Sequence, residues 1–455
     1  MTKKELLAIE EKVLEKLAGR INLLQSYDEK ENLILEILSG VCSELKKKAV
    51  EGKTPVLKTE SERKQFVKDF LSYGTVGELF ADPDVEDIII NSLHPIYIHH
   101  AQKGFVATDK RFESQQELEL FIRKLIIFSG RLEMKRIANL ELANIEGRVN
   151  IVISPLGPQI TITKAKVEPM SIINLIEKNT LTFDLAAQLW MYVEGLSVRP
   201  ANIIISGGPG SGKTTLLNAL FSFIPQNERI VAIEDTLELN TFNDESCSRL
   251  ESDEGLSLAD LVKNSLRMRP DRIIIGEVRG EEAKDLMTAV NIGKYCMGTI
   301  HASTSREAII RMQNEPMNVP EILINLVDVF IIMKKFNYKD MVCRVVDELS
   351  ETGGMEQKTV LLSQLWRFDY EHKKITETSP STIYRDRLSR ATGLSPKEIM
   401  DEVKLRSKVL QVLAQRGVNT LKELTVFCRA YNRDSIDVLA KLGLKRQELL
   451  PQKDK

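Results

Sequence analysis

Residues 203–214 read Ile-Ile-Ile-Ser-Gly-Gly-Pro-Gly-Ser-Gly-Lys-Thr, an apolar run that leads into a glycine-rich loop and a Lys-Thr pair. This is the G-x-x-x-x-G-K-[ST] pattern placed directly after a predicted strand, and the residues that follow have the pattern of a helix. Glycines let consecutive backbone N–H groups turn inward around phosphate, and the start of the helix adds partial positive charge. A chance glycine-rich turn would lack this strand–loop–helix context.

The loop therefore predicts that the chain binds ATP and Mg²⁺. Lys213 would reach the β- and γ-phosphates, and the Thr214 hydroxyl would hold the metal. The candidate nucleotide-binding residues of this segment are Gly207, Gly208, Pro209, Gly210, Ser211, Gly212, Lys213, Thr214 and Thr215.

Composition limits the class of protein. The chain has 455 residues, 43% of them hydrophobic, which is enough for two to four domains with buried cores. Its formal net charge of −2 supplies no basic field, so nucleic acid is not the expected partner. Five scattered cysteines favour a reducing cytosol. Neither an apolar signal core nor a spanning segment of about 18 apolar residues is evident, so any membrane role is expected to go through a partner or a surface contact.

The fold class predicted is α/β, with a smaller α+β domain before the P-loop core and helical extensions at both ends. In the core, short apolar strands alternate with helical patterns, which indicates a largely parallel sheet covered on both faces. The predicted segments are a helical extension 1–70, an α+β domain 71–165, a linker 166–175, a P-loop ATPase domain 176–375 and a helical extension 376–455.

Acidic residues follow two predicted core strands. Gly276 follows the strand 272–275 at the position where most P-loop enzymes place an Asp, and the next residue, Glu277, would hold the water shell of Mg²⁺ or polarise the attacking water. Glu234 and Glu238 follow the strand 229–233 and are candidates for a general base or a metal-shell ligand, with Glu234 favoured for activating water. Helix capping remains the alternative for part of this acidic stretch.

A histidine and four arginines complete the candidate site. His301 follows the strand 297–300, where a neutral imidazole could hydrogen-bond the γ-phosphate or its water and so report hydrolysis. Arginines flank the Glu277 loop, and one offered across a subunit boundary could neutralise charge in the transition state. These arginines are Arg267, Arg269, Arg272 and Arg279, of which Arg279 is the chosen candidate.

These motifs, in this order, resemble the type II/type IV secretion ATPase superfamily over roughly residues 70–445. Residues 266–280 are similar to its Walker B region, 234–238 to its "Asp box" and 298–303 to its "His box". Residues 82–91 resemble the start of its N-terminal domain. The segments that are most similar to the archaeal branch are 315–320 and 409–431.

The resemblance implies a RecA-like core and a cytoplasmic, homo-hexameric motor that acts on a polytopic membrane platform protein. It implies phosphate and Mg²⁺ binding by Lys213 and Thr214, with Glu277 as the Walker B acid. It also makes Arg148 a candidate for reaching nucleotide from the N-terminal domain.

Two positions depart from the family pattern. Thr163 stands where the family usually has an arginine that contributes to the interdomain nucleotide contact, and Lys164 or Lys166 is the candidate replacement. Lys294 stands where the family usually has a histidine, which retains a hydrogen-bond donor but removes a pH-sensitive group.

The leading hypothesis is a ring ATPase that drives assembly of a pilus-like filament, an archaellum or secretion machinery at the cytoplasmic membrane face. One alternative is a nucleic-acid translocase, because P-loop cores of this kind are shared with helicases. The other is a nucleotide-gated regulatory module with low turnover, which the departures at Thr163 and Lys294 would permit.

Overall fold

The computed structural model describes residues 2–21, 25–48, 57, 59–131, 136–142, 147–164, 169–239, 246–253, 255–339 and 341–444. The chain forms two compact units. The first is Met1–Val167 with Lys339–Val342, and the second is Glu168–Tyr338 with Cys343–Lys455. Part of the predicted linker 166–175, including Lys166, lies outside the described residues. No described helix combines the length and apolar character that crossing a bilayer requires.

The first unit combines amphipathic helices with an antiparallel sheet. Its helices are α1 Lys3–Leu17, α2 Tyr27–Lys48, α3 Glu60–Leu71, α4 Gly77–Ala81 and α5 Gln115–Phe128. Its strands are β1 Val85–Asn91, β2 Tyr97–His100, β3 Gly104–Ala107, β4 Ile137–Leu142, β5 Gly147–Ser154 and β6 Gly157–Lys164. The strand order is β3-β2-β1-β6-β5-β4, and neighbouring strands pair antiparallel.

The second unit is built on a nine-stranded sheet of order β15-β14-β13-β12-β7-β11-β10-β8-β9. Its strands are β7 Ile203–Gly207, β8 Ile230–Glu234, β9 Cys247–Glu251, β10 Arg272–Ile275, β11 Tyr295–Ile300, β12 Val329–Tyr338, β13 Met341–Glu356, β14 Thr359–Asp369 and β15 Lys374–Glu377. The six strands from β12 to β9 pair in parallel, so the α/β prediction for the core is confirmed.

Along the chain, the α-helices of the second unit lie before, between and after these strands. They are α6 Ile172–Glu177, α7 Phe183–Glu194, α8 Lys213–Leu220, α9 Leu258–Ser265, α10 Glu282–Asn291, α11 Ser305–Gln313, α12 Glu321–Ile324, α13 Ile383–Thr392, α14 Pro396–Gln415, α15 Leu421–Arg433 and α16 Ser435–Lys441. Along β7, Ile203 and Ile205 join one buried cluster and Ile204 joins another, because successive side chains point to opposite faces of the sheet. The parallel strands are therefore covered on both faces, as continuous apolar runs predict.

A buried carboxylate joins three elements of the second unit. Glu351 on β13 is completely buried, and its Oε1 accepts hydrogen bonds from the hydroxyls of Tyr192 on α7 and Ser381. Its Oε2 accepts the backbone N–H groups of Ile383 and Tyr384 at the start of α13, both at 3.1 Å. These four donors compensate for the burial of the charge and tie α7 and α13 to the antiparallel edge of the sheet.

We expect Glu351→Ala to destabilise the second unit by about 3 kcal/mol, because it leaves two hydroxyls and two backbone donors without their acceptor. Urea denaturation followed by tryptophan fluorescence measures this unit alone, since Trp190 and Trp366 are both in it. Glu356→Ala, on an exposed position of the same strand, is the matched control and should shift the midpoint little. Equal midpoints for the two variants would contradict the assignment.

Candidate active site

The glycine-rich loop joins β7 to α8 at the carboxyl edge of the parallel strands. Gly207, Gly210 and Gly212 have φ values of 153°, 65° and 95°. A Cβ atom on Gly207 would lie 2.4 Å from the carbonyl oxygen of Met333 on β12. Only glycine fits there, because both the backbone conformation and the neighbouring strand exclude a side chain. The loop is therefore shaped as the phosphate-binding pattern predicts, and the backbone of α8 begins at Lys213.

Lys213 lies against its own loop. Its side chain is largely buried, and its Nζ donates to the carbonyl oxygen of Gly208 at 3.1 Å and lies 3.4 Å from Nδ1 of His301. Burial lowers the pKa of Lys213 from its usual value, and the negative charge of Glu277 opposes that shift. The ammonium group therefore has few polar partners within the loop, which is expected of a cation that binds an anionic ligand.

Polar contacts run from Lys213 across the ends of four strands. His301, just after β11, places its Nε2 2.9 Å from Oε1 of Glu277, which follows β10. The same oxygen lies 3.1 Å from Nε of Arg279, whose Nη2 lies 2.9 Å from Oδ2 of Asp235 after β8. Because parallel strands end at one edge of a sheet, side chains far apart in sequence form one line of alternating charge.

The partners of His301 define its protonation state. Its Nδ1 faces the Lys213 ammonium and its Nε2 faces the Glu277 carboxylate, so a neutral ring that carries its proton on Nε2 satisfies both contacts. Burial, and next the charge of Lys213, lower the pKa of His301 from its usual 6.5, against the opposing effect of Glu277. At neutral pH the imidazole is therefore an uncharged relay between lysine and glutamate.

Glu234 is enclosed rather than open to solvent. It is 2% exposed, and its Oε1 accepts the backbone N–H groups of Glu238 and Leu239 at 2.9 and 3.0 Å. Arg249 on β9 places its Nη2 3.8 Å from the other oxygen. A Cβ atom on Gly276 would lie 2.9 Å from Cγ of Glu234, so the glycine that stands in place of an Asp leaves room for this glutamate.

The structure also places two cationic residues at the loop that the sequence did not suggest. Arg344 on β13 donates from Nε to the carbonyl oxygen of Gly210 at 2.9 Å. Lys335 on β12 extends over the same glycine, with Nζ 3.6 Å from the place where a Cβ atom would stand. Two further cations therefore line the loop. Sequence patterns did not indicate them, because both residues lie on strands that extend past the parallel core, away from the strand ends that carry the other candidates.

Other candidates lie elsewhere. Arg272 is fully buried at the amino end of β10, where it pairs with Glu228 and donates to the carbonyl oxygen of Val193. It is therefore a structural residue rather than part of the nucleotide site. Arg267 and Arg269 precede the same amino end. Arg148 lies on β5 of the first unit, and its predicted contact with nucleotide stays a prediction.

The candidate metal ligands, Thr214 and Glu277, are chemically suited to Mg²⁺. A hydroxyl and a carboxylate are hard oxygen donors, and Mg²⁺ commonly uses one or two protein oxygens together with water and phosphate. No group of three or more histidine, cysteine, aspartate or glutamate residues in the described ranges could hold a metal ion by itself. This donor set therefore fits a magnesium that arrives with nucleotide.

The chain is similar to one protein family and to several known proteins. Residues 129–367, slightly over half of the chain, match the family model described as "Type II/IV secretion system protein". The uncharacterized protein MJ0900 of Methanocaldococcus jannaschii is 29% identical over 382 residues, which are 79% of this chain and 68% of the relative. The conjugal transfer protein TrbB of Rhizobium radiobacter is 30% identical over 240 residues, 51% of this chain and 72% of the relative. The Legionella pneumophila ATPase DotB has a TM-score of 0.46 at 19% identity, covering 78% of this chain and 90% of that one.

The lowered pKa of His301 predicts a pH-dependent stability. The unfolded chain binds a proton near pH 6.5 whereas the folded chain does so only at lower pH, so stability present above 6.5 falls as the pH falls towards the folded value. In urea denaturation at pH 7.5 and 5.5, wild type should lose more stability than His301→Gln. Parallel losses in the two proteins would contradict the assigned protonation state.

The contact between Gly276 and Glu234 predicts a non-additive pair. Gly276→Ala should destabilise the second unit by about 1–3 kcal/mol, because the new methyl group displaces the enclosed Glu234. In a Glu234→Ala background the same substitution should cost much less. A double-mutant cycle by urea denaturation measures this coupling, and strictly additive effects would show that the two residues do not compete for space.

Proposed function

The chain belongs to the type II/IV secretion system protein family, and on that premise we propose that it hydrolyses ATP to drive secretion or filament-assembly machinery. The observation that carries this proposal is the line of contacts from Lys213 through His301 and Glu277 to Arg279 at the phosphate loop. A loop that only bound nucleotide would not require this succession of titratable groups at its mouth.

In the proposed site the triphosphate occupies the concave side of the loop. Backbone N–H groups of Gly208 and of residues 210–215, at the loop and the start of α8, bind its oxygens, and the Lys213 ammonium moves from His301 to the β- and γ-phosphates. Lys335 and Arg344 add positive charge from the other side of Gly210. Thr214 and Glu277 would hold Mg²⁺, which neutralises developing charge on the phosphates.

The remaining catalytic roles are proposed for two glutamates, an arginine and a histidine. Glu234 is the proposed residue for orienting the attacking water, because two N–H donors fix its carboxyl group beside Gly276. Glu238 is the second candidate for that role. Arg279, half-exposed and paired to both Glu277 and Asp235, is free to exchange those partners for transition-state charge. His301 would sense the γ-phosphate when Lys213 leaves it.

For mechanical work, nucleotide must favour one arrangement of the protein over another, because a ligand with equal affinity for both moves nothing. We propose that this arrangement operates in a homo-hexamer at the cytoplasmic face of the membrane, on a polytopic platform protein. Support comes from family membership and from a relative whose name assigns it to conjugal transfer. A pilus-like filament, an archaellum and a secretion apparatus are the proposed recipients of this work.

We expect Lys213→Ala and Glu277→Gln each to lower the rate of Mg²⁺-dependent ATP hydrolysis at least a hundredfold, since one loses the phosphate cation and the other the metal-shell acid. Phosphate release measures the rate, and Lys284→Ala, an exposed lysine on α10, is the control. Equal and negligible rates in all four proteins would favour the regulatory module. Stimulation of wild type by single-stranded DNA but not by lipid vesicles would favour the translocase.

A further inference from the structure

A basic cavity lies at the amino edge of the parallel sheet, opposite the edge that carries the phosphate loop. It encloses about 300 Å³ where β7, β11 and β12 begin. Lys294 lines it, seven positions before His301, so a distance of about 23 Å along β11 separates it from the edge of the sheet that carries the phosphate loop. The departure from the family pattern at Lys294 therefore belongs to this cavity and not to the nucleotide site.

The cavity holds more positive charge than its one carboxylate requires. Asp328 is 2% exposed, and its Oδ1 lies 3.2 Å from Nη2 of Arg199 and 2.8 Å from Nη1 of Arg387. Its Oδ2 accepts the backbone N–H of Asn202 at 3.0 Å. One guanidinium would neutralise Asp328. Lys294 has no carboxylate within 4 Å among the described residues. The second guanidinium and Lys294 therefore leave an excess of two positive charges.

Two residues of the lining each contain a buried polar atom that has no hydrogen-bond partner in the described structure. These atoms are Nη1 of Arg199, a donor, and Oδ1 of Asn325, an acceptor. An unpaired buried polar atom costs about 1–3 kcal/mol, so such atoms usually meet water or a ligand. A single ligand that reached both atoms would accept a hydrogen bond from the guanidinium and offer a donor to the amide. A carboxylate offers acceptors only.

We propose that this cavity binds a phosphate-type oxyanion, free or as the terminal group of a small molecule. Phosphate near neutral pH carries between one and two negative charges, which match the excess on the lining, and retains a P–OH group that Asn325 can accept. The bound anion would join the amino ends of the strands whose carboxyl ends present the phosphate loop and His301.

Calorimetric titration of the full chain with inorganic phosphate tests this site separately from the nucleotide site. Lys213→Ala, which disables the loop, should still bind phosphate, and Lys213→Ala/Lys294→Ala should bind it at least about tenfold more weakly. Lys213→Ala/Lys284→Ala removes an equal charge from exposed α10 and should match the Lys213→Ala parent. Lys294 has no ion pair to lose among the described residues, so its variant should keep the parent's tryptophan emission and urea midpoint.

Titrations with two further ligands, glycerol 3-phosphate and succinate, show which class of anion the cavity binds. Glycerol 3-phosphate that binds as tightly as inorganic phosphate would extend the site to phosphomonoesters, and weaker binding would restrict it to the free ion. Succinate should bind at least tenfold more weakly than phosphate. Absence of phosphate binding in Lys213→Ala, insensitivity to Lys294→Ala, or equal affinity for succinate would overturn the proposal. Failure of ATP hydrolysis alone would leave it standing, since the loop plays no part in it.

Discussion

The second unit is organised around a lysine ammonium that is held largely out of water. Lys213 has one carbonyl oxygen and one imidazole nitrogen as neighbours, and its countercharge, Glu277, acts through His301. A buried cation with so indirect a partner is costly, which the lowered pKa of Lys213 reflects. The glycine loop surrounds that ammonium, and the neutral histidine connects it to the alternating charges beyond.

Parallel strands make this arrangement possible because they give the sheet two chemically separate edges. Glu277 and His301 stand at carboxyl ends, whereas Arg272 and Lys294 stand at the amino ends of the same two strands. Residues five to seven positions apart thus serve different sites. At one edge the charges alternate and nearly balance, and at the other an excess of cations surrounds Asp328. The first edge suits chemistry on a nucleotide, and the second suits the retention of an anion.

Sequence reasoning located β7, β8, β10 and β11 because each is a short apolar run bounded by turns and helical periods. It did not anticipate β9, or the antiparallel strands β13, β14 and β15, whose partly exposed residues lack a continuous apolar signal. That omission had a consequence for the site, because Arg344 lies on β13 and Lys335 on the adjoining extension of β12. A cation on an extended edge strand has no local pattern that marks it as a neighbour of the phosphate loop.

By itself, the sequence determined the loop, its strand and helix, and which polar residues follow the core strands, because glycine requirements and apolar periodicity are local properties. Tertiary structure decided the rest. It enclosed Glu234 between backbone donors and Gly276, joined Lys213 to Glu277 through His301, and placed Lys294 at the far edge of the sheet. The physical reason is that burial, pairing and the compensation of charge depend on which strands become neighbours. No single segment of the sequence determines that strand order.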